Sequence, residues 1–348
     1  MRVVVVGATG NVGTSVVQAL ESEPSVTSIV GVARRMPGWR TGKTEWRTAD
    51  VSRDDLADVF AGADAVIHLA WLFQPTHDPV VTWKANALGS IRVFRAAAAA
   101  GVSALVHSSS VGAYSPGPKD RAVDESWPTH GWPRAAYSRE KSYVERVLDT
   151  FELRHEGMRV VRMRPGFIFK EEAASEQRRL FGGPFLPQRL IRPNLIPFVP
   201  DMPRLRFQAL HTADAAEAFR LALTRPVTGA FNLAADPVID PSVLAELLGA
   251  RKVPVPSTFV KTAVAAGWHL RLIPASPGLV EMALQIPIMD VSRARDELGW
   301  TPRHSGTDAL RAVIEGMGKR SGMDTPPLTP DSVRGRLREL VGGVGERP

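Results

Sequence analysis

The stretch Arg2–Gly13, RVVVVGATGNVG, decides how the rest of the chain is read. Four consecutive valines, Val3 to Val6, predict a strand buried on both faces, as in a parallel sheet. Gly7, Gly10 and Gly13 follow, and from Val12 the apolar residues Val16, Val17 and Leu20 recur at helical spacing. Strand, glycine turn and helix in this order form a dinucleotide-binding element. The glycines let the backbone turn tightly and approach a pyrophosphate, whose charge then sits at the positive end of the helix. Thr9, Asn11 and Val12 lie in the same turn and join the expected binding site. The spacing is Gly-x-x-Gly-x-x-Gly, not Gly-x-Gly-x-x-Gly.

Downstream, Ser28 to Val32 reads as a second strand. About twenty residues past a glycine turn, an NAD site usually places an acid on the adenosine ribose. Here Ala33 holds that position and Arg34 and Arg35 follow it. Two guanidinium groups where a 2′-phosphate would sit favour NADP over NAD. Asp50-Val51 is expected to end a third strand, with Asp50 accepting from an adenine amino group. Ser52 to Ala61 reads as a helix, Ser52 capping it with Asp55 in a box-like pattern. Ala65 to Ala70 reads as a fourth strand whose end, with Leu69, Ala70 and Trp71, passes beneath the cofactor; His68 is a packed strand residue. A long helix from about Pro79 to Ala100 carries Asn86. Ala104 to His107 is the fifth strand and closes into Ser108-Ser109-Ser110. This βαβα alternation predicts a Rossmann-type, doubly wound parallel α/β sheet, with ligand beyond the carboxyl ends of its strands.

The chemistry is expected at Tyr137-Ser-Arg-Glu-Lys141, which opens a helix running through Val144, Leu148 and Phe151. A spacing of four puts Tyr137 and Lys141 on one face, a turn apart. A free tyrosine titrates near pKa 10, and a neighbouring ammonium is expected to lower that value. A hydroxyl from Ser110 would hold a substrate oxygen in line with the phenol. The set is a proton-transfer apparatus for an alcohol or carbonyl.

Composition narrows the class. The 348 residues are 44% hydrophobic and 23% charged, the balance of a globular protein with a sizeable core. The absence of cysteine excludes disulfides, thiolate metal sites and cysteine nucleophiles. No clustered histidines stand at metal spacing, and no run of 18 apolar residues predicts a membrane span. An N-terminus entering strand one directly predicts no signal peptide and a cytoplasmic enzyme. The net charge of +7 comes from scattered basic residues, mostly arginine, so nucleic acid is not an expected partner.

The chain resembles the extended short-chain dehydrogenase/reductases, the NAD(P)-dependent epimerase/dehydratase group. The matching pieces are GATGNVG at 7–13, HLAW at 68–71, NALGSIRVFRAA from Asn86, SSSVGAY at 108–114 and YSREK at 137–141. RMRPGFIF at 162–169, HTADAAEAF at 211–219, GAFNLAA at 229–235 and DVSRARDELGWTP at 290–302 continue the match in the family's order. The resemblance implies a catalytic set of Ser110, Tyr137 and Lys141, with Lys141 also on the nicotinamide ribose and Asn86 in support. Ser110 is chosen among the three serines because it lies four before Tyr114. Ser108 would border the cofactor, and Pro165, Gly166, Phe167 and Ile168 would flank the nicotinamide. The resemblance also implies a small-molecule substrate and a homodimer formed through the fourth and fifth helices. The chain departs from the family's habits at Trp71, Tyr114-Ser115 and Phe167-Ile168-Phe169-Lys170. Trp71, Phe73, Trp127 and Trp132 are expected either around an apolar substrate mouth or packed into the domain junction.

Residues 1–165, with 207–235 returning to them, are expected to form the nucleotide-binding domain. Residues 166–206 and 236–315 would form a smaller, mostly helical substrate domain. Between Glu171 and Arg204 the chain is irregular, and Arg178, Arg179, Arg189 and Arg192 read as a diphosphate clamp or as solvated surface arginines. Phe259 to Ile288 reads as core packing or a membrane-surface helix. From about 320 to 348 a flexible tail is expected, with one short helix near Val333 to Val341. The function that fits is an oxidoreductase moving hydride between NADP, or NAD, and a hydroxyl or carbonyl. An epimerase or dehydratase that keeps its NAD is the alternative. A non-catalytic nucleotide sensor is the contrasting reading, although such proteins typically lose the Tyr–Lys pair that this chain retains.

Overall fold

In the computed structural model, residues 1–345 are described, apart from the side chain of Arg189. Seven strands build the central sheet: β1 (Arg2–Val6), β2 (Ser28–Ala33), β3 (Thr44–Thr48), β4 (Ala65–His68), β5 (Ala104–Ser108), β6 (Arg159–Pro165) and β7 (Gly229–Leu233). Their order is β7-β6-β5-β4-β1-β2-β3, and every pairing is parallel. The order reverses between β1 and β4, which opens a crevice there at the carboxyl edge.

The valine run does what a doubly covered strand requires. Val3 and Val5 pack in one apolar layer with Val16, Leu20, Phe219 and Phe231. Val4 and Val6 pack in the other with Val32, Phe94, Leu105 and Leu148. All four are essentially solvent-free, and each burial stabilises the fold by about 2 kcal/mol. Helix Asn11–Glu21 lies on the first face against helix Thr212–Thr224.

Several boundaries differ from the sequence expectation. β3 stops at Thr48, and only Ala57–Phe60 of the expected Ser52–Ala61 segment is helical. Ser52 does not cap it, because its Oγ donates to Asp50 Oδ1 at 2.6 Å. The long helix is interrupted: Pro79–Trp83 and Gly89–Ala99 are α-helical, but Lys84–Leu88 is a π turn. Strand Phe207–His211 does not return to the central sheet. It pairs with Phe167–Phe169 and Ala235–Ile239 in a separate three-stranded sheet. Residues 236–310 include short strands at Arg251–Pro254 and Ile288–Met289 beside their helices.

The segment expected to be a flexible tail is packed as far as residue 345, and its last three residues lie outside the described ones. Leu328 is fully buried, and Thr325 Oγ1 donates to the Thr9 carbonyl at 2.9 Å. Arg178 is the anchor, its side chain solvent-free, with Asp331 at 3.1 Å and Glu339 at 2.5 Å. It is therefore neither a diphosphate clamp nor a surface arginine. Sequence periodicity carries no trace of such a pairing, since the partners lie about 150 residues away.

Candidate active site

The glycine turn places backbone against backbone. Gly7 sits at φ +88°, and a Cβ there would lie 2.6 Å from the Ala70 nitrogen. A Cβ on Gly13 would collide with the Gly7 carbonyl and the Ala8 backbone. Only glycine allows β1, the first turn of the helix and the end of β4 to converge so closely. Asn11 fixes the turn further: its Nδ2 donates to the Ile168 carbonyl at 3.2 Å and its Oδ1 accepts from Thr212 Oγ1 at 3.0 Å.

Above this turn lies a cavity of about 580 Å³. Gly7, Thr9, Gly10, Asn11, Val12 and Gly13 line one part of it, and Arg34, Arg35, Asp50 and Val51 another. Leu69, Ala70, Trp71 and Asn86 form a wall, facing Pro165, Gly166, Phe167 and Ile168. Ser108, Ser110, Tyr137 and Lys141 complete the lining. The structure thus brings the expected catalytic set and the expected cofactor-binding residues to one cavity.

Ser110 and Tyr137 meet because two loops are pinned together. Ser138 Oγ donates to the Gly112 carbonyl at 2.5 Å and accepts from the Trp132 nitrogen at 2.6 Å. This holds the start of helix Ala136–Arg154 on the turn Val111–Ala113. A Cβ on Gly112 would stand 2.7 Å from Tyr137 Cε1, so the loop needs glycine to approach the ring. Ser110 and Tyr137 both line this wall of the cavity, and Ser110 Oγ accepts from the Gly112 nitrogen at 3.0 Å.

Lys141 is buried, with Nζ donating to the Ser108 carbonyl at 2.7 Å and lying 3.4 Å from the Trp71 ring centroid. Burial pushes its ammonium well below the usual lysine value, against the pull of Glu140 and Glu145. The expected lowering of the tyrosine pKa by Lys141 is not what the geometry gives. Burial pushes the Tyr137 phenol up to about 12; the Ser110 hydrogen bond opposes this and the Glu140 charge adds to it. Phe73 stacks on the Tyr137 ring at 5.0 Å, which explains the missing solvation. The phenol stays protonated at neutral pH.

Asn86 is turned inward by the π turn. Its Oδ1 accepts from the Leu72 nitrogen at 2.7 Å, and its Nδ2 donates to the Leu72 carbonyl and to Glu140 Oε2 at 2.8 and 2.7 Å. Glu140 also accepts from Thr82 Oγ1 at 2.6 Å. Behind the serines, Glu145 accepts from Ser109 Oγ at 2.6 Å and from Arg164 at 2.9 and 3.0 Å. Burial works to raise the Glu145 carboxyl, but Arg164 and Arg162 outweigh it and hold it at about 2. His68 is a core residue as expected, fully buried, with Nε2 2.9 Å from Ser90 Oγ.

The pattern of the NAD dependent epimerase/dehydratase family covers residues 3–234. This chain belongs to that family. Epimerase/dehydratase family members are enzymes, and so is this chain. A similar curated relative is the 4-hydroxy-2-methyl-3-oxo-4-farnesyl-3,4-dihydroquinoline-1-oxide ketoreductase of Stigmatella aurantiaca, 28% identical over 74% of this chain and 80% of the relative. Among solved structures, MoeE5 in complex with UDP-glucuronic acid and NAD is similar at a TM-score of 0.66 and 22% identity, over 92% of this chain and 99% of that one. DesIV, the dTDP-glucose 4,6-dehydratase of Streptomyces venezuelae with NAD bound, is similar at a TM-score of 0.66 and 18% identity, over 94% of this chain and all of the other. These two likenesses bear on the fold.

Within this family frame, some lining residues have no local signal in the sequence. Glu176, Leu180 and Phe181 enter from the irregular segment, and Pro326 and Pro327 from the tail; Arg179, one of the four arginines read as a diphosphate clamp or as surface residues, lines the cavity beside them. Arg179 donates to the Thr329 carbonyl at 2.9 Å and to the Pro327 carbonyl. Arg192 is exposed, and its guanidinium donates to the Gly318 carbonyl at 3.2 Å. Of the four aromatics expected at the mouth or the junction, Trp71 and Phe73 line the cavity. Trp127 and Trp132 do not; their indoles donate to the Ser115 carbonyl and to Glu281. Lys170, one of the departures from family habit, is buried and donates to Thr14 Oγ1 at 2.6 Å.

Proposed function

We propose that this enzyme reduces a carbonyl, or oxidises the corresponding hydroxyl, of a small and largely apolar organic substrate, using NADP in preference to NAD. The observation that carries the reading is the Ser110–Tyr137 hydroxyl pair at the inner wall of a cavity whose other end is the glycine turn. When bound, the nicotinamide exchanges hydride with a carbon of the substrate.

Tyr137 gives its proton to the substrate oxygen in the reductive direction, for which a phenol held protonated at neutral pH is suited. Ser110 holds that oxygen in line. Lys141 orients the cofactor ribose from its place on the Ser108 carbonyl, and Asn86 keeps Leu72 and Glu140 positioned beneath the pair. The glycine turn and Thr9 to Val12 would hold the pyrophosphate at the helix N-terminus. Asp50 and Val51 would border the adenine, and Pro165 to Ile168 would flank the nicotinamide. Arg34 and Arg35, which line the adenosine end of the cavity, support the NADP preference.

Trp71, Phe73, Leu180, Phe181, Leu279 and Met282 make the substrate side apolar, which supports a hydrophobic carbonyl compound over a sugar nucleotide. The farnesylated substrate in the name of the Stigmatella ketoreductase agrees with this. A second reading, an epimerase or dehydratase that retains NAD, is favoured by the tail segment closing on Thr9. We assign residues 1–165 and 207–235 to cofactor binding and 166–206 and 236–315 to substrate binding, corrected for the strand Phe207–His211. We place the enzyme in the cytoplasm as a homodimer. Among the described residues, no helix is long and apolar enough to cross a membrane. Val80, Leu88, Tyr143 and Leu153, exposed on the helices of 79–99 and 136–154, support the dimer.

The test is to release and identify any nucleotide from the purified protein, then titrate NADPH and NADH by calorimetry. Preferential NADPH uptake supports the reductase. Retained NAD that does not exchange overturns it in favour of the second reading.

A further inference from the structure

The helix Val333–Gly342 is built the wrong way round for a surface helix. Val333, Leu337, Leu340 and Val341, at i, i+4, i+7 and i+8, form one apolar stripe. All four are exposed, Leu337 at 56% and Val341 at 90%. The opposite, polar side faces the protein. Glu339 pairs with buried Arg178, and Arg336 pairs with Asp331 at 2.8 Å while donating to the Pro184 and Leu186 carbonyls at 3.0 Å each. A surface helix ordinarily buries its apolar stripe; here ion pairs hold the stripe outward.

The neighbourhood continues the surface. Phe185, between the two carbonyls that Arg336 holds, is exposed. Val344, just past the helix, meets Gly183 together with the Leu272 carbonyl and Pro274. Leu270 and Leu272 are exposed beside them. The 13-residue helix Ser257–His269 leading to this point has no buried residue, and its end is held by Trp268 Nε1 on Thr76 Oγ1 at 2.8 Å.

The charge on these segments has one sign. From residue 177 to 200 there is no Asp or Glu, and from 247 to 280 there is none either, while arginine and lysine recur in both. On the helix itself Arg334 and Arg338 are exposed next to the apolar stripe.

We propose that this face seats the protein on an anionic lipid bilayer surface. The apolar stripe enters the boundary between headgroups and acyl chains, and the arginines meet lipid phosphates. A helix of this length reaches about 15 Å, half the hydrocarbon thickness, so it lies in the interface and does not span. A second copy fits less well, because a two-fold contact would set Arg334 and Arg338 against their own likeness. The segment Leu180–Phe185 joins this face to the cavity wall, so the cavity opens close to the bilayer. The attachment does not depend on the hydride-transfer reading.

The test is co-sedimentation of the full chain with vesicles of phosphatidylcholine alone or with roughly one-third phosphatidylglycerol. Wild type is expected to sediment with the anionic vesicles and at least about fivefold less with the neutral ones. Leu337→Glu combined with Val341→Glu is expected to lower binding about tenfold or more with cofactor binding unchanged. Because the chain lacks cysteine, Leu337→Cys carries a single environment-sensitive dye whose emission should shift to the blue on the anionic vesicles. Wild type left in the supernatant, equal binding by the double variant, or no dye shift would overturn the proposal. So would a halving of mass in solution on the double substitution, which would mark the face as a contact between copies.

Discussion

Thr325 Oγ1 donates a 2.9 Å hydrogen bond to the carbonyl of Thr9, tying the C-terminal segment to the glycine turn. Pro326 and Pro327 continue along the same cavity wall. Thr325→Ala removes one hydrogen bond worth about 1 kcal/mol, so cofactor affinity is expected to fall by up to about fivefold and the thermal midpoint by a few degrees. Calorimetric titration of both proteins measures this.

The tail's hold depends on Arg178. Asp331→Ala leaves that buried guanidinium with Glu339 and the Gly183 carbonyl, and the loss of stability is expected to be about 3 kcal/mol. Urea unfolding, together with proteolysis of the C-terminal segment, reports it.

At the adenosine end, Arg34→Ala combined with Arg35→Ala is expected to weaken NADPH binding by about one to two orders of magnitude and to leave NADH nearly unchanged. Equal losses for both cofactors would return the two arginines to the surface.

Two carboxyls set opposite pH dependences of stability. Glu145 sits at about 2, below its ordinary 4.5, so its contribution is present above 4.5 and is lost as the pH falls through 2. Burial pushes Glu176 up to about 7, partly offset by Arg179 and Lys170. Its neutral form is the better-tolerated one, so stability is full below 4.5 and declines as the pH rises through 7. Glu176→Gln should remove that neutral-range decline and leave the acid limb intact. Thermal midpoints from pH 3 to about 9 would show both limbs.

What was legible in the sequence was local. Gly7, Gly10 and Gly13 after four valines announce the crevice, because strand burial and backbone approach demand those residue types at that spacing. Tyr137 and Lys141 announce themselves by a helical turn. What escaped depends on partners far apart in the chain. Arg178 has no meaning until Asp331 and Glu339 arrive, and Asn86 none until Leu72 and Glu140 do. The tyrosine pKa also depends on such distant partners, with burial raising it. Phe73 over the Tyr137 ring, which a motif does not include, outweighs a lysine committed to Ser108 and Trp71.

The most direct measurement is NADPH-dependent reduction of a panel of hydrophobic ketones by wild type and Tyr137→Phe, with NADPH binding followed in parallel. The account predicts turnover by wild type, a loss of about 10²–10⁴ in the variant, and NADPH affinity within about threefold of wild type. Equal activity of the two proteins, or none in wild type despite bound NADPH, would contradict it.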